Sequence, residues 1–485
     1  MLEDLIAERR KKLEALKAHG VEPYPVKVPR THSVAEAKEK FASLSKAKKK
    51  VSLVGRVMSI RDQGKIVFLD LRNESGSIQA VLKEESLKDF EFWRTVLDRG
   101  DFLSVTGPLF VTKRGEQSVE AKALTLASKS LRPMPSTWYG VEDVETRLRE
   151  RYLDIFFSEE ARELFRKKAG FWDTIRNFLK KEGFLEVETP VFEIVPGGAE
   201  AEPFITHHNA LDADFYLRIS LELPLKKLMA SGYEKVFEIG RIFRNEGIDR
   251  EHLQDYTQLE FYWAYRDYHD LMKITEALFK ETIKKVTGGL TTMHQGKKIE
   301  WGKKWKKIEY CEVFQEANGL DPRTANVEEL RAKAQALKIA LEPGLGRGRL
   351  IDLIYKKTVR PNLIQPGFLV NPPVAIEPLA KRMAEDPERV ERFQVVAGAT
   401  ELAKGFSELN DPLDQRARFE EQMKLREAGD TEAQMIDEEF LRAMEYGFPP
   451  IAGFGLSERL FAFLMDKPLR ETVIYPLMRH RKNES

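Results

Sequence analysis

Along the first twenty residues, Leu2, Leu5, Ile6, Leu13 and Leu16 recur at near-helical spacing among Lys, Arg and Glu, which predicts an amphipathic helix over 2–19. Gly20 stops it, and Val21-Glu22-Pro23-Tyr24-Pro25 opens an extended connection. From about Val51 to Leu131 the pattern changes to short strands between Gly, Asn and Asp turns: Val51–Ile60, Lys65–Leu71, Ser77–Leu82, Phe102–Phe110 and Gln117–Ser128. Residues 131–158 read as a linker leading into a helix, and beyond them helices and strands mix to residue 480. The later strands are expected to run antiparallel, because consecutive ones are joined by loops too short for a helical crossover.

Five strands with turn signals between them suggest a small sandwich or barrel. Five is also the strand count of the OB-fold, a frequent binder of single-stranded nucleic acid, although counting does not separate it from other small β domains. The basic face of the first helix is compatible with plain solvation or with RNA contact. Neither a Walker phosphate loop nor a Gly-x-Gly-x-x-Gly turn is present, and there is no internal repeat.

In the stretch Val236–Trp263 a strand (Val236–Arg244) is followed by a polar loop (Asn245–Asp255) and a second strand from Tyr256. Alternation places Thr257, Leu259, Phe261 and Trp263 on a core face. Tyr256, Gln258, Glu260 and Tyr262 share the other face, a carboxylate between two aromatic rings with Arg244 at the end of the partner strand. In Ile451–Asp466, glycines are expected to end a strand and Ser457 to cap an apolar helix. Arg459 then stands in a first helical turn, where free amides favour an anion. Between Phe393 and Pro412, Glu401, Lys404, Glu408 and Asn410 surround an expected turn at Gly405-Phe406-Ser407, and carboxylates beside a phosphate site suggest a hard cation.

Composition narrows the classes only a little. At 485 residues two or more domains are expected, and 42% hydrophobic residues suffice for real cores. The formal net charge is +1, so a nucleic-acid partner has to be argued from local patches such as Lys46-Ala47-Lys48-Lys49-Lys50, which could equally face water. The single Cys311 excludes a disulfide framework or a cysteine zinc site within one chain. Met1–Lys12 is charged rather than apolar and no apolar run reaches bilayer length, so a soluble cytoplasmic protein with no membrane partner is expected.

Three segments together carry a resemblance. Gly183-Phe-Leu-Glu-Val-Glu-Thr-Pro190 resembles motif 1 of the class II aminoacyl-tRNA synthetases, Phe243-Arg-Asn-Glu-Gly247 through Glu260 resembles motif 2, and Gly453-Phe-Gly-Leu-Ser-Glu-Arg459 resembles motif 3. Within that class, Pro196-Gly-Gly-Ala199, Ile205-Thr-His-His-Asn-Ala-Leu-Asp212, Gly405-Phe-Ser-Glu-Leu-Asn-Asp-Pro412 and Arg470-Glu-Thr-Val-Ile-Tyr-Pro-Leu-Met-Arg479 are similar to the lysine enzymes. The likeness spans essentially the whole chain.

The resemblance implies an α+β protein. Residues 1–145 would be an N-terminal helix and OB-fold anticodon-binding barrel with linker, and 146–485 a catalytic domain with a central antiparallel sheet flanked by helices. It implies ATP, L-lysine and tRNA(Lys) as partners, Mg²⁺ as cofactor, and a homodimer built partly on motif 1. By position, Arg244 would hold the α-phosphate and the lysine carboxylate, and Arg459 and His252 the outer phosphates, with the two arginines catalytic. Glu246 would meet adenine, Tyr256 would stack on it, and Glu401 would bind the nucleotide's metal together with Gln394. Glu222 would take the α-amino group beside Gly197-Gly198, and Glu260, Tyr262 and Glu408 would surround the ε-ammonium. Phe68, Gln79 and Glu116 fall where the family contacts anticodon bases. His207 and His208 belong to a family signature and are expected to be satisfied structural residues.

The chain departs from the bacterial lysine pattern at four places. Gln394 replaces a metal-binding Glu and Lys404 replaces an Asn; Glu251, next to Arg250, stands for an arginine; motif 3 is one residue short between Gly455 and Arg459. A neutral amide binds a hard cation more weakly than a carboxylate, so fewer or looser magnesium sites are expected. The rival readings are an aspartyl or asparaginyl enzyme, whose pocket would not need two acids, a paralogue attaching lysine to a protein, which would lack residues 51–131, and a non-enzymatic RNA-binding protein.

Overall fold

The computed structural model describes residues 2–135, 143–247, 253–341, 344–430 and 433–479. The chain divides into two compact units, Met1–Gly140 and Val141–Ser485.

In the first unit the helix Leu2–Ala18 buries Leu16 and, less expectedly, Arg9. The Arg9 guanidinium donates to the carbonyls of Arg99 (2.9 Å) and Ser130 (3.1 Å), and Lys12 pairs with Asp98 at 2.8 Å. Part of the basic face is therefore spent on docking the helix, an outcome beside solvation and RNA contact. The Lys46–Lys50 basic run is solvent-exposed.

Six strands form the sheet, Lys50–Asp62, Ile66–Asn73, Gly76–Lys83, Phe102–Val111, Gln117–Glu120 and Ala123–Ser128, and pairing of the first with the fourth helps close it. The single strand expected over Gln117–Ser128 is thus two, the first beside Leu109–Val111 and the second beside Phe102–Thr106. The break lies where the chain crosses Gly107: a Cβ there would sit 1.7 Å from the Glu120 carbonyl oxygen. A helix, Phe90–Val96, had no counterpart in the strand pattern; it buries Phe90, Trp93 and Val96. Alternation buries Val67, Leu69 and Leu71 and turns Phe68 to the opposite, half-buried face.

The second unit is built on eight strands in the order Lys306–Glu309, Gly367–Val370, Arg392–Ala397, Thr400–Ser407, Ile451–Ser457, Asp255–Ala264, Lys235–Phe243 and Leu185–Glu186. The centre is antiparallel, but both edge pairings are parallel, which corrects the all-antiparallel expectation. The reason is the connection: Glu309 reaches Gly367 through the helices Tyr310–Asn318, Val327–Ala336 and Arg347–Thr358, a true crossover. On one face the helices Glu159–Lys181 and Tyr268–Thr287 pack Phe171, Ile175, Leu278 and Phe279 against Leu259, Phe261, Phe393 and Phe454.

Two local readings are also corrected. Gly405-Phe406-Ser407 is strand, not turn; the chain reverses at Gly398-Ala399, both at positive φ (55° and 63°). Gly453 and Gly455 lie inside the strand Ile451–Ser457 rather than ending it. The helix after it, Arg459–Leu464, is preceded by Glu458, while Ser457 Oγ accepts from the Arg459 amide at 3.3 Å.

Candidate active site

The strand Asp255–Ala264 decides the site. Its core face carries Leu259 and Phe261, so Tyr256, Gln258, Glu260 and Tyr262 must face the other way, onto a cavity of about 340 Å³. Glu260 is 3% exposed, and its Oε1 accepts from Ser220 Oγ (2.7 Å) and the Leu221 amide (3.2 Å). Its Oε2 accepts from the Tyr262 hydroxyl at 3.0 Å. Burial, then repulsion from Glu222, pushes its carboxyl up to about 7. Burial raises Tyr262 well above the ordinary phenol range, with Glu260, Glu222 and Glu408 adding to the effect.

Glu222 opens the helix Glu222–Ala230, and Gly198 lets it come close: at φ +81, a Cβ on Gly198 would meet Glu222 Cβ at 2.7 Å. Gly197 is pressed in the same way against Leu223. Glu408 follows the strand Thr400–Ser407, is 1% exposed and lies just beneath the lining rather than on it. Gly453 makes room for it, since a Cβ there would stand 2.1 Å from Glu408 Oε1 and 2.4 Å from the Tyr262 ring. Burial raises the Glu408 carboxyl well above its usual range despite an ion pair with Lys226.

Arginines line the remainder of the cavity. Arg244, just after the strand Lys235–Phe243, donates to the Ile219 carbonyl (3.2 Å) and lies 5.6 Å over the Tyr256 ring. Arg459 lines the same cavity and a smaller one of about 100 Å³ shared with Glu246 and Tyr256. Behind the strands, Glu458 is fully buried, pairs with Lys168 and accepts from the Thr257 amide, tying the motif 3 segment to motif 2. Glu238 does the same for motif 1: it pairs with Arg218 at 2.7 Å and accepts from the Thr189 hydroxyl at 2.7 Å.

Glu401 and Gln394 both line the cavity, but strand register sets Gln394 opposite Lys404, not opposite Glu401. Lys404 pairs with Glu377 at 3.1 Å, which Arg392 also meets at 3.3 Å. Among the described residues no three His, Cys, Asp or Glu side chains converge as a metal cage. One carboxylate with one amide still suits Mg²⁺, an ion that keeps waters and leans on substrate phosphates rather than on an all-protein site.

A tRNA synthetase class II family profile (D, K and N) matches residues 143–479, and an OB-fold nucleic-acid-binding profile matches residues 51–127. The chain is 44% identical to a lysine–tRNA ligase of Moorella thermoacetica over 99% of its own length and 98% of the relative's. The lysine–tRNA ligases of Carboxydothermus hydrogenoformans and Thermotoga maritima are 43% and 42% identical, over 99% and 100% of this chain and 99% and 98% of theirs. The chain belongs to the lysine–tRNA ligases of class II.

In this synthetase the structure brings Gly197, Gly198, Glu222, Arg244, Glu260, Tyr262 and Glu408 into one neighbourhood, and adjoins to it Tyr256, Glu246, Glu401, Gln394 and Arg459. His252, with Arg250 and Glu251, lies outside the described residues. In the other unit Gln79 pairs in register with Ser118, whose Oγ donates to Gln79 Oε1 at 3.0 Å. Glu116, two positions earlier, is exposed and meets that Oγ through its carbonyl oxygen at 3.2 Å rather than through its side chain. His207 and His208 sit on an exposed hairpin strand, Ile205–His208, and not in a core; His207 meets Asp214 at 2.9 Å.

Sequence reasoning missed Lys226, Ser220, Glu377 and Arg392; Lys404 it had singled out, but without its partner Glu377. Lys226 had a signal, an acid and a lysine four apart in Glu222-Leu-Pro-Leu-Lys226, the spacing of helical ion pairs. Ser220 and Glu377 had none, because only the fold brings them to the sheet.

Proposed function

We propose that this chain activates L-lysine with ATP to lysyl-adenylate and transfers the lysyl group to the 3′ end of tRNA(Lys). The observation that carries it is the buried acidic cluster Glu222, Glu260 and Glu408 next to a cavity lined by arginines. A buried carboxylate needs a cation, and a substrate with a side-chain ammonium supplies one. An aspartate or asparagine side chain would not.

Arg244 orients the lysine carboxylate against the α-phosphate, with Arg459 and His252 on the outer phosphates, Glu246 on adenine and Tyr256 stacked against its ring. The carboxylate oxygen attacks the α-phosphorus, the bond to the β-phosphate bridge breaks, and diphosphate leaves. A terminal ribose hydroxyl of the tRNA then attacks the anhydride carbonyl and AMP leaves. Positioning and fixed positive charge do the catalysis, and no side chain need act as nucleophile. Glu401 with Gln394 would hold Mg²⁺ brought in on the nucleotide. The ion supplies charge neutralisation on the phosphates.

In the barrel, the half-buried Phe68 and the polar Gln79 and Glu116 would read anticodon bases, by stacking and hydrogen bonding respectively. A homodimer across motif 1 is supported by exposed apolar side chains at Leu185, Phe192, Ile194 and Ile205. The proposed substrates, ATP and tRNA, put the work in the cytoplasm. ATP–pyrophosphate exchange measured with each amino acid tests the whole reading: stimulation by lysine alone is expected, and exchange with aspartate or asparagine instead would overturn it.

A further inference from the structure

Lys226 is 1% exposed, and its ammonium lies between two of the acids just described: 2.6 Å from Glu222 Oε1 and in an ion pair with Glu408 Oε2. The rings of Phe406 and Phe440 close over it at 5.4 and 5.9 Å. Glu408 Oε1 is buried with no hydrogen-bond partner among the described residues, and it lies toward the Tyr262 ring and the Gly453 backbone. We propose that Lys226 sets the charge count of the amino-acid pocket when substrate fills it: with Glu222, Glu260 and Glu408 ionised by the incoming ammonium groups, three carboxylates less one internal ammonium leave two negative charges, matching the two ammonium groups of a bound diamino acid. Lys226 is thus a positioning residue that fixes specificity by number as well as by place, and the inference rests on the lysine reading above.

The neighbouring charges leave that count intact. Glu377 is occupied separately by Arg392 and Lys404. Arg218 is taken by Glu238. Glu193, which feels Glu260, is pushed by burial up to about 8 and keeps its proton at neutral pH. Tyr262 stays a neutral donor. Arg244 remains for the substrate's carboxylate. Burial opposes the charge on Lys226, but Glu222 and Glu408 more than offset it, so it stays an ammonium.

Removing this cation leaves three acids around the site. The free protein then takes up a further proton, which lysine must expel on binding. Lys226→Met is the test, with lysine binding followed calorimetrically in buffers of different ionisation enthalpy. Roughly one additional proton should be released per lysine bound near neutral pH. Affinity should fall at least about tenfold there and recover most of the loss by about pH 9. Lys226→Arg should keep the parental proton count. Lys226→Met combined with Glu408→Gln, which removes one charge of each sign, should restore it and guards against loss of folding in the single variant. Equal proton release in parent and Lys226→Met, or a loss of affinity independent of pH, would overturn the inference and leave Lys226 a packing residue. A parent protein that binds no lysine would instead sink the lysine reading itself.

Discussion

Replacing Glu260 by Gln separates what the acid does for function from what it does to the fold. In the ligand-free protein its carboxyl rises from 4.5 to about 7, through burial and then Glu222. A carboxyl raised on folding stabilises fully below its unfolded value and loses that contribution as pH climbs through the folded value, here from about 4.5 to about 7. At about 1.36 kcal/mol per tenfold change in proton affinity, the charged form costs the fold up to about 3 kcal/mol, shared with Glu222. Glu260→Gln removes that cost, and its amide oxygen can still accept from Ser220 and Leu221. The ligand-free variant should be more stable than the parent by ~1–3 kcal/mol above neutral pH, a rise in melting temperature on the order of 2–5 °C, and no more stable near pH 4. Binding moves the other way. An unmatched substrate ammonium in a buried site costs about 3–5 kcal/mol, so kcat/KM for lysine should fall by roughly 10² or more with ATP binding kept. Thermal melts across pH together with lysine-dependent pyrophosphate exchange measure both. A variant that melts below the parent at alkaline pH, or that uses lysine as well as the parent does, refutes the reasoning.

Other changes probe other parts of the site. Gly453→Ala drives a methyl group into Glu408 and Tyr262; a destabilisation of about 1–3 kcal/mol and a still larger loss of lysine use are expected from melting and exchange assays. Phe68→Ala should weaken aminoacylation by about 1–3 kcal/mol per lost stack while leaving pyrophosphate exchange at the parental rate, and equal loss in both assays would detach Phe68 from the tRNA. Lys404→Asn withdraws the cation set opposite Gln394. Lys404 lines the cavity, and a cation there would share the neutralisation of bound phosphates with magnesium. The magnesium concentration for half-maximal exchange should therefore rise in the variant, and a titration unchanged from the parent would show that Lys404 does not serve the phosphates.

Much of this protein could be read from residue order alone. Period-two alternation in Tyr256–Trp263 assigned Glu260 and Tyr262 to one face because side-chain direction along a strand is a local property. The three motif segments and the OB-type strand run were legible for the same reason: each is a short stretch whose pattern owes little to distant chain. What alternation could not give was company. That Glu222 opens a helix beneath Gly198, and that Glu408 reaches Tyr262 only because position 453 lacks a Cβ, are consequences of packing and register between segments well separated in the chain, while the register of one hairpin sets Gln394 opposite Lys404. The parallel edges and the split strand at Gly107 likewise arose from crossovers and close backbone approach. Lys226 shows the division most sharply. Its pairing with Glu222 is helical geometry four residues apart, while its pairing with Glu408 exists only after the sheet has formed. Local sequence determined which groups could carry charge toward the site; long-range packing decided how many of those charges were left for a substrate, since neutralisation depends on distances that only the folded chain sets.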